Sequence, residues 1–147
     1  MLLGTWEQPI DPSGRLTLPS ALRPLLTDGL VVTRGFDPCL QVFPQDSWKT
    51  LAGRVSALPL GGTAERRLRR LLFAAASALS DEGDHIVRLP QQLCAYAAIA
   101  DHAVIVGMDT YLEIWAPERW NALDAEITGA AGSWPDSDIG LGGSALS

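Results

Sequence analysis

The sequence has few cysteines, few histidines and a single lysine, and the first two scarcities exclude several classes of protein. Its two cysteines, Cys39 and Cys94, are too few for a disulfide framework, and neither lies in a C-x-x-C pair or at metal-ligand spacing from a histidine. His85 and His102 are the only histidines, and the chain has no Ser-His-Asp, H-E-x-x-H or glycine-rich phosphate-loop pattern. We therefore expect no enzymatic activity, no metal or cofactor, and no small-molecule substrate.

Long apolar runs are also missing. No run reaches the roughly 18 residues that a membrane span needs, and the first residues lack the basic and then apolar pattern of an export signal. Hydrophobic residues make up 47% of the chain, which is enough to bury one core of ordinary size. The sequence therefore predicts a globular cytoplasmic protein with no membrane partner.

The charge balance is acidic, at −6, which argues at first against a nucleic-acid partner. Ten of the eleven cationic residues are arginines, and Lys49 is the only lysine. The front half is less acidic than this average, because carboxylates crowd the last thirty residues. These carboxylates are Glu118, Asp124, Glu126, Asp136 and Asp138. DNA binding through the front half therefore stays open.

An internal repeat organises the chain. The stretch from Leu30 to Trp48 aligns with the stretch from His102 to Trp120 at a constant offset of 72, with seven agreements and no gap. Upstream, Leu18-Pro-Ser-Ala-Leu22 aligns with Leu89-Pro-Gln-Gln-Leu93 at an offset of 71. The repeated unit reads as strand, short helix, strand, strand and helix. The seven pairs are Val32/Val104, Gly35/Gly107, Asp37/Asp109, Leu40/Leu112, Val42/Ile114, Phe43/Trp115 and Trp48/Trp120.

Local patterns place the other elements. β-branched runs, turn residues and period-two alternation predict one hairpin in each copy. Asp46 or Ser47 is expected to cap a helix, and Pro117 is expected to begin the matching one. Helical spacing predicts a linker helix from Ala64 to Leu79. The predicted organisation is a first repeat at 1–60, the linker helix within 61–80, a second repeat at 81–127 and a disordered tail at 128–147.

The most informative string is Asp11-Pro-Ser-Gly-Arg-Leu-Thr-Leu-Pro-Ser-Ala-Leu-Arg23. It resembles the D-x-x-G-R-hydrophobic-x-hydrophobic-P…R signature of the MraZ family, in the AbrB/SpoVT swapped-hairpin superfamily. The opening Leu3-Gly-Thr-Trp6 and the segment Tyr111-Leu-Glu-Ile-Trp115 agree with that family, and the resemblance covers roughly residues 1–127.

The resemblance implies both a fold and a function. The fold is β-rich α+β, in which two tandem swapped-hairpin β-α-β-β-α units with pseudo-twofold symmetry form one barrel-like core. The function is regulation, expected to be repression, of the division and cell-wall gene cluster. The protein would bind repeated operator sites on double-stranded DNA as a ring-like homo-oligomer. A nucleoid-associated location follows from that expectation.

The motif residues have a physical reading beside this one. Asp11 can accept hydrogen bonds from the turn backbone, Gly14 permits a positive φ, and Arg15 leaves the turn at the head of a strand. A guanidinium group there can fork onto phosphate or onto guanine. The alternative is that Asp11 and Arg15 form an ion pair that only braces the hairpin, and both readings can hold together.

The second copy departs from the motif. Ile86 aligns with Arg15, His85 with Gly14, Glu82 with Asp11, and Cys94 with Arg23. Arg88 lies two positions beyond Ile86 and shares its strand face, so it is a candidate DNA-binding replacement for the missing arginine. A slip of one residue could also recruit Asp81 or Asp84.

Other basic residues are more ambiguous. Arg23 is a candidate DNA-binding residue whose alternative is an ordinary surface position, and Pro24 after it should end or kink the short helix. Arg66, Arg67, Arg69 and Arg70 form a dense basic cluster, which indicates a solvated helix face or else a surface for phosphate or a second subunit. The rival function is a protein-interaction or assembly module on the same fold with reduced DNA binding.

Overall fold

The computed structural model describes residues 1–131. Residues 1–117 form one compact unit, and the rest of the last helix belongs to a second unit. The helices are a 3₁₀ helix (Ser20–Thr27), α1 (Gln45–Ser56), α2 (Thr63–Phe73), α3 (Gln91–Ala97) and α4 (Pro117–Ala130). The strands are β1 (Thr5–Pro9), β2 (Arg15–Thr17), β3 (Leu30–Arg34), β4 (Leu40–Pro44), β5 (Ser77–Leu79), β6 (Ile86–Arg88), β7 (His102–Gly107) and β8 (Leu112–Trp115).

The chain is α+β, and its strands form two antiparallel sheets. The larger sheet has six strands in the order β1-β7-β8-β4-β3-β5, and the smaller one pairs β2 with β6. Strands β5 to β8 correspond in chain order to β1 to β4. Exchanging each strand for its counterpart and reversing the direction reproduces the same strand order. The first strand of each half therefore pairs with a strand of the other half.

Alternation along the strands sorts the side chains onto two faces of the larger sheet. One face carries residues such as Leu30 and Val32, which join the main hydrophobic core. Leu16 of β2 and Val87 of β6 belong to the same core, and each is 1% exposed. Burying a side chain of this size contributes roughly 1.5–3 kcal/mol. The β2–β6 pair is therefore fixed to the body of the protein through its inward face.

The hairpin of α1 and α2 packs on the opposite face of the larger sheet. Thr33 points away from the main core, and its hydroxyl donates to the carbonyl oxygen of Leu72. Arg34 Nε donates to the carbonyl oxygen of Leu71 at 2.8 Å. Trp48 contacts Phe43 and Phe73 with ring centroids 5.7 Å and 5.9 Å away. Helices α1 and α2 and the β2–β6 pair thus cover opposite faces of the sheet.

The prediction of a linker helix as far as Leu79 is wrong in its second part. Helix α2 ends at Phe73, and Ser77–Leu79 forms β5. This strand pairs with Leu30–Val32 of β3, and Leu79 is 4% exposed. Pairing at this edge satisfies backbone groups of β3 that would otherwise lack partners. Helical periodicity could not reveal that edge, because it reports only local sequence.

Three further expectations concern helix ends. Neither Asp46 nor Ser47 caps α1, which begins at Gln45 without a side-chain cap, and the Ser47 hydroxyl donates to the carbonyl oxygen of Thr110 at 2.8 Å. Pro24 does not end its helix, because this segment is a 3₁₀ helix with shorter-range hydrogen bonding. The start of α4 at Pro117 is confirmed.

The predicted tail falls largely outside the described residues. Helix α4 continues to Ala130, past the predicted boundary at 128, and residues 132–147 are not described. Within residues 1–131, no helix is both long and apolar enough to cross a bilayer.

Candidate nucleic-acid interface

The turn that precedes β2 is organised by the carboxylate of Asp11. Its Oδ1 accepts hydrogen bonds from the backbone N–H groups of Ser13 and Arg15, each at 2.9 Å, and from the Ser13 hydroxyl at 2.7 Å. These bonds, with that from Arg15 first, lower the pKa of Asp11 below its ordinary value of 3.8. Asp11 therefore shapes the loop that delivers Arg15 to the strand.

Gly14 makes the same turn possible. Its φ is +90°, and a Cβ atom built there would lie 2.3 Å from the carbonyl oxygen of Leu89. The Gly14 carbonyl also accepts a hydrogen bond from the backbone N–H of Leu89 at 2.8 Å. Glycine is thus required both for the backbone conformation and for the close approach of the second half of the chain.

The Arg15 guanidinium group faces outward. Its Nη1 lies 3.9 Å from Asp11 Oδ2, and the two side chains are 49% and 43% exposed. A surface pair of this length contributes little stability, because water competes for both charges. Asp11 therefore does not block the Arg15 guanidinium group, which stays accessible to a ligand.

The register between β2 and β6 decides which cation of the second copy accompanies Arg15. Arg15 lies opposite Arg88, Leu16 opposite Val87, and Thr17 opposite Ile86. Because Leu16 and Val87 point inward, Arg15 and Arg88 share the outward face of one strand pair. Two arginines that are 73 positions apart in the sequence become cross-strand neighbours.

Glu82, which aligns with Asp11 in the internal repeat, is also a residue of this site. Its Oε1 lies 3.1 Å from Arg88 Nη2 and 3.7 Å from Arg15 Nε. The hydrogen bond from Arg88 is the main cause that lowers the pKa of Glu82. One exposed carboxylate therefore contacts both arginines.

Asp81 accepts the backbone hydrogen bonds of the second turn, as Asp11 does in the first turn. Asp81 Oδ1 accepts hydrogen bonds from the backbone N–H groups of Gly83 at 2.8 Å and His85 at 3.1 Å. The same spacing of two and four residues occurs after Asp11. The side-chain acceptor of the second turn is therefore Asp81, one residue before the aligned position. The backbone keeps the alignment, because the N–H of Glu82 donates to the carbonyl oxygen of Ile86 as that of Asp11 donates to Arg15. The Glu82 side chain is thus left available to the arginines.

Arg23 does not join this group within residues 1–131. It is half-buried in the 3₁₀ helix, and its Nε donates to the carbonyl oxygen of Leu18 at 3.3 Å. No hydrogen bond or ion pair connects it with Arg15 or Arg88 in the described part of the chain. Its DNA-binding role stays a prediction.

The basic cluster of α2 is partly structural. Arg69 Nη2 donates to the carbonyl oxygens of Ser56 and Leu58 at 2.7 Å and 2.9 Å. Arg66 Nη1 donates to the carbonyl oxygen of Leu60 at 2.8 Å. These two arginines hold the connection between α1 and α2, on the sheet face opposite Arg15. Among residues 1–131, no group of three His, Cys, Asp or Glu side chains is arranged to hold a metal ion.

Substitutions at Asp11 should separate its charge from its capacity to accept hydrogen bonds. Asp11→Ala removes both, whereas Asp11→Asn keeps an acceptor oxygen, so we expect the alanine variant to be the less stable at pH 7. A carboxylate with a lowered folded pKa stabilises the fold above its unfolded pKa, and this contribution is lost as the pH falls through the folded pKa. The difference between wild type and Asp11→Asn should therefore shrink as the pH is lowered from 7. Urea unfolding at pH 7, 4 and 2 measures it, and a difference that does not depend on pH would contradict this assignment.

Comparison with known proteins identifies the family. The chain matches the family model described as "MraZ protein, putative antitoxin-like" over residues 1–71 and 86–135. The chain belongs to the MraZ family. The "Transcriptional regulator MraZ" of Roseiflexus sp. (strain RS-1) is 44% identical over 132 residues, which cover 87% of this chain and 92% of that protein. The protein of the same name from Herpetosiphon aurantiacus is 45% identical over 123 residues, covering 84% of this chain and 86% of its own.

The MraZ match sharpens the description of the site. Its two ranges include the Asp11–Arg15 turn and Arg88, and they leave out residues 72–85. That gap contains Asp81 and Glu82, so the second turn lies between the two matched ranges. The matched relatives carry the name of a transcriptional regulator and not of an enzyme, in agreement with the expectation of no enzymatic activity.

Proposed function

We propose that this MraZ family member is a sequence-specific, double-stranded DNA-binding regulator of transcription that acts as a homo-oligomer. The observation that carries the proposal is the cross-strand pair Arg15 and Arg88 on the outward face of β2 and β6. The regulated genes would be the division and cell-wall cluster, with repression as the expected sign. The protein would be cytoplasmic and nucleoid-associated. The tandem halves would be swapped-hairpin units that close into one barrel-like core.

The geometry of the strand pair suits the major groove of B-form DNA. That groove admits a two-stranded antiparallel ribbon, and arginine pairs with the O6 and N7 acceptors of guanine through two parallel hydrogen bonds. The buried Leu16 and Val87 anchor the inward face of the ribbon, and Asp11 and Gly14 shape the turn that leads into β2. The arginines therefore project from an anchored strand pair, which favours recognition of DNA bases over non-specific contact with phosphate.

Oligomerisation would allow an acidic chain to bind DNA. Each subunit offers two arginines at this site, together with two carboxylates that contact Arg15, those of Asp11 and Glu82. One subunit would therefore bind DNA weakly. Copies connected in one assembly raise the overall affinity by multivalency, provided that the repeated operator sites match their spacing. A ring-like assembly on repeated sites follows from this proposal.

A second candidate function is a protein-interaction or assembly module with reduced DNA binding. The observation in its favour is that Ile86 occupies the motif arginine's position and that Glu82 neutralises part of the remaining cationic charge. This module would not need an accessible Arg15.

The test measures binding of the protein to a fluorescent duplex from its own upstream region, beside a shuffled duplex, across a range of salt concentrations. We expect wild type to prefer the upstream duplex and to lose affinity as salt rises. Arg88→Ala should weaken that complex by about 5-fold to 150-fold, corresponding to roughly 1–3 kcal/mol for a base contact. Arg54→Ala, which removes an exposed cation from α1, is the matched control and should have little effect. If wild type binds neither duplex at any salt, the assembly module is the better explanation.

A further inference from the structure

The carboxylate of Glu82 is placed at the point where DNA would have to bind. Arg88 donates to it through Nε at 3.2 Å and 3.3 Å and through Nη2 at 3.1 Å, and Arg15 Nε lies 3.7 Å away. All three side chains are exposed, at 36% for Glu82, 49% for Arg15 and 43% for Arg88. A structural ion pair needs only one cation, whereas this carboxylate contacts both cations of the candidate interface.

We propose that Glu82 is a specificity-determining residue that penalises contact with the phosphate backbone and accepts a hydrogen bond from the exocyclic amino group of cytosine. This inference rests on the proposed DNA-binding function and names one base class in the operator. The operator would then contain G·C pairs at the positions that face β2 and β6.

The penalty on phosphate follows from competition for the same donors. A phosphate oxygen that approaches Arg88 competes with Glu82 for the same donors, and one that approaches Arg15 meets the negative charge of Glu82 at close range. Binding to DNA of arbitrary sequence depends almost entirely on phosphate contacts. Glu82 therefore weakens that mode of binding more than a mode in which the arginines face base edges.

The preference of Glu82 for cytosine follows from the hydrogen-bonding groups in the major groove. Guanine presents acceptors that suit an arginine, and its partner cytosine presents an amino donor that suits a carboxylate. A carboxylate has about four acceptor positions, so Glu82 can keep its bond from Arg88 and still accept from a base. The arginines and Glu82 together form a donor and acceptor set that a G·C pair complements.

The experiment compares wild type with Glu82→Gln, which keeps the size and one acceptor oxygen but removes the charge. Each protein selects from a pool of randomised duplexes, the retained duplexes are sequenced, and affinity is measured for both the retained and the starting pools at several salt concentrations. We expect Glu82→Gln to bind the starting pool several-fold more tightly and with a steeper salt dependence. Its preference for the retained pool should fall about 10-fold, and one G·C position should lose its constraint.

The matched control is Glu126→Gln, which makes the same change of charge at an exposed position of α4. It should leave both affinities and the selected sequence unchanged. If Glu82→Gln loses affinity equally for both pools, the carboxylate only positions Arg88 and the inference is wrong. An unchanged preference also overturns it, while selection by wild type would leave the proposed function standing. If wild type itself selects nothing, the proposed function fails and this inference fails with it.

Discussion

Replacing Arg15 with alanine is expected to abolish the specific DNA complex at physiological salt. A bidentate contact to guanine is worth roughly 1–3 kcal/mol, which corresponds to about 5-fold to 150-fold in the affinity of one site. The loss is repeated in every subunit that contacts the operator, so multivalency turns a moderate local change into a large one. Fluorescence anisotropy with the upstream duplex measures it.

Arg15→Lys provides a finer test of the same contact. Lysine keeps the positive charge but lacks the planar fork, so it should retain the salt-sensitive attraction to phosphate and lose discrimination between sequences. Arg15→Ala should lose both. The side chain is half exposed and makes only long ion pairs, of 3.9 Å and 3.7 Å, so neither change should disturb folding. Equal operator affinity for wild type and Arg15→Ala would remove the basis of the proposed function.

Replacing Gly14 with alanine is expected to cause a larger loss of stability than replacing Gly83 or Gly53 with alanine. A non-glycine residue at positive φ costs roughly 1–2 kcal/mol, and forcing an atom into an already packed site typically costs about 1–3 kcal/mol more. Here a Cβ atom would lie 2.3 Å from the Leu89 carbonyl oxygen, and moving that backbone would disturb the junction of the two halves. We expect a total loss of about 2–5 kcal/mol in the free energy of unfolding.

Two matched glycine substitutions divide this loss into its parts. Gly83→Ala places a Cβ at φ +111° with nothing within 4 Å, so it should show the conformational cost alone. Gly53→Ala lies within α1 with nothing within 4 Å, so it should stabilise the helix by roughly 0.5–1 kcal/mol. Urea unfolding of the three variants measures the order of their free energies of unfolding. A Gly14→Ala loss no larger than that of Gly83→Ala would show that the approach of Leu89 is unimportant.

Several features of the fold could be predicted from local patterns. The pairs β3–β4 and β7–β8 are confirmed as antiparallel hairpins, since alternation and turn residues are properties of adjacent residues. The linker helix was only half right, because β5 exists through its pairing with β3. The capping role of Ser47 was wrong for a related reason, since its hydroxyl bonds to Thr110, which lies 63 residues away in the sequence.

The candidate site shows the same division. The string from Asp11 to Arg15 determined by itself that a turn with positive φ would present an arginine at the head of a strand, because each bond in that turn joins residues at most four apart. Only the tertiary structure decided that Arg88 lies opposite Arg15 and that Glu82 contacts both. The physical reason is that register between two distant strands is set by burying Leu16 and Val87 in a shared core. That burial depends on the packing of the whole chain and leaves no local mark in the sequence.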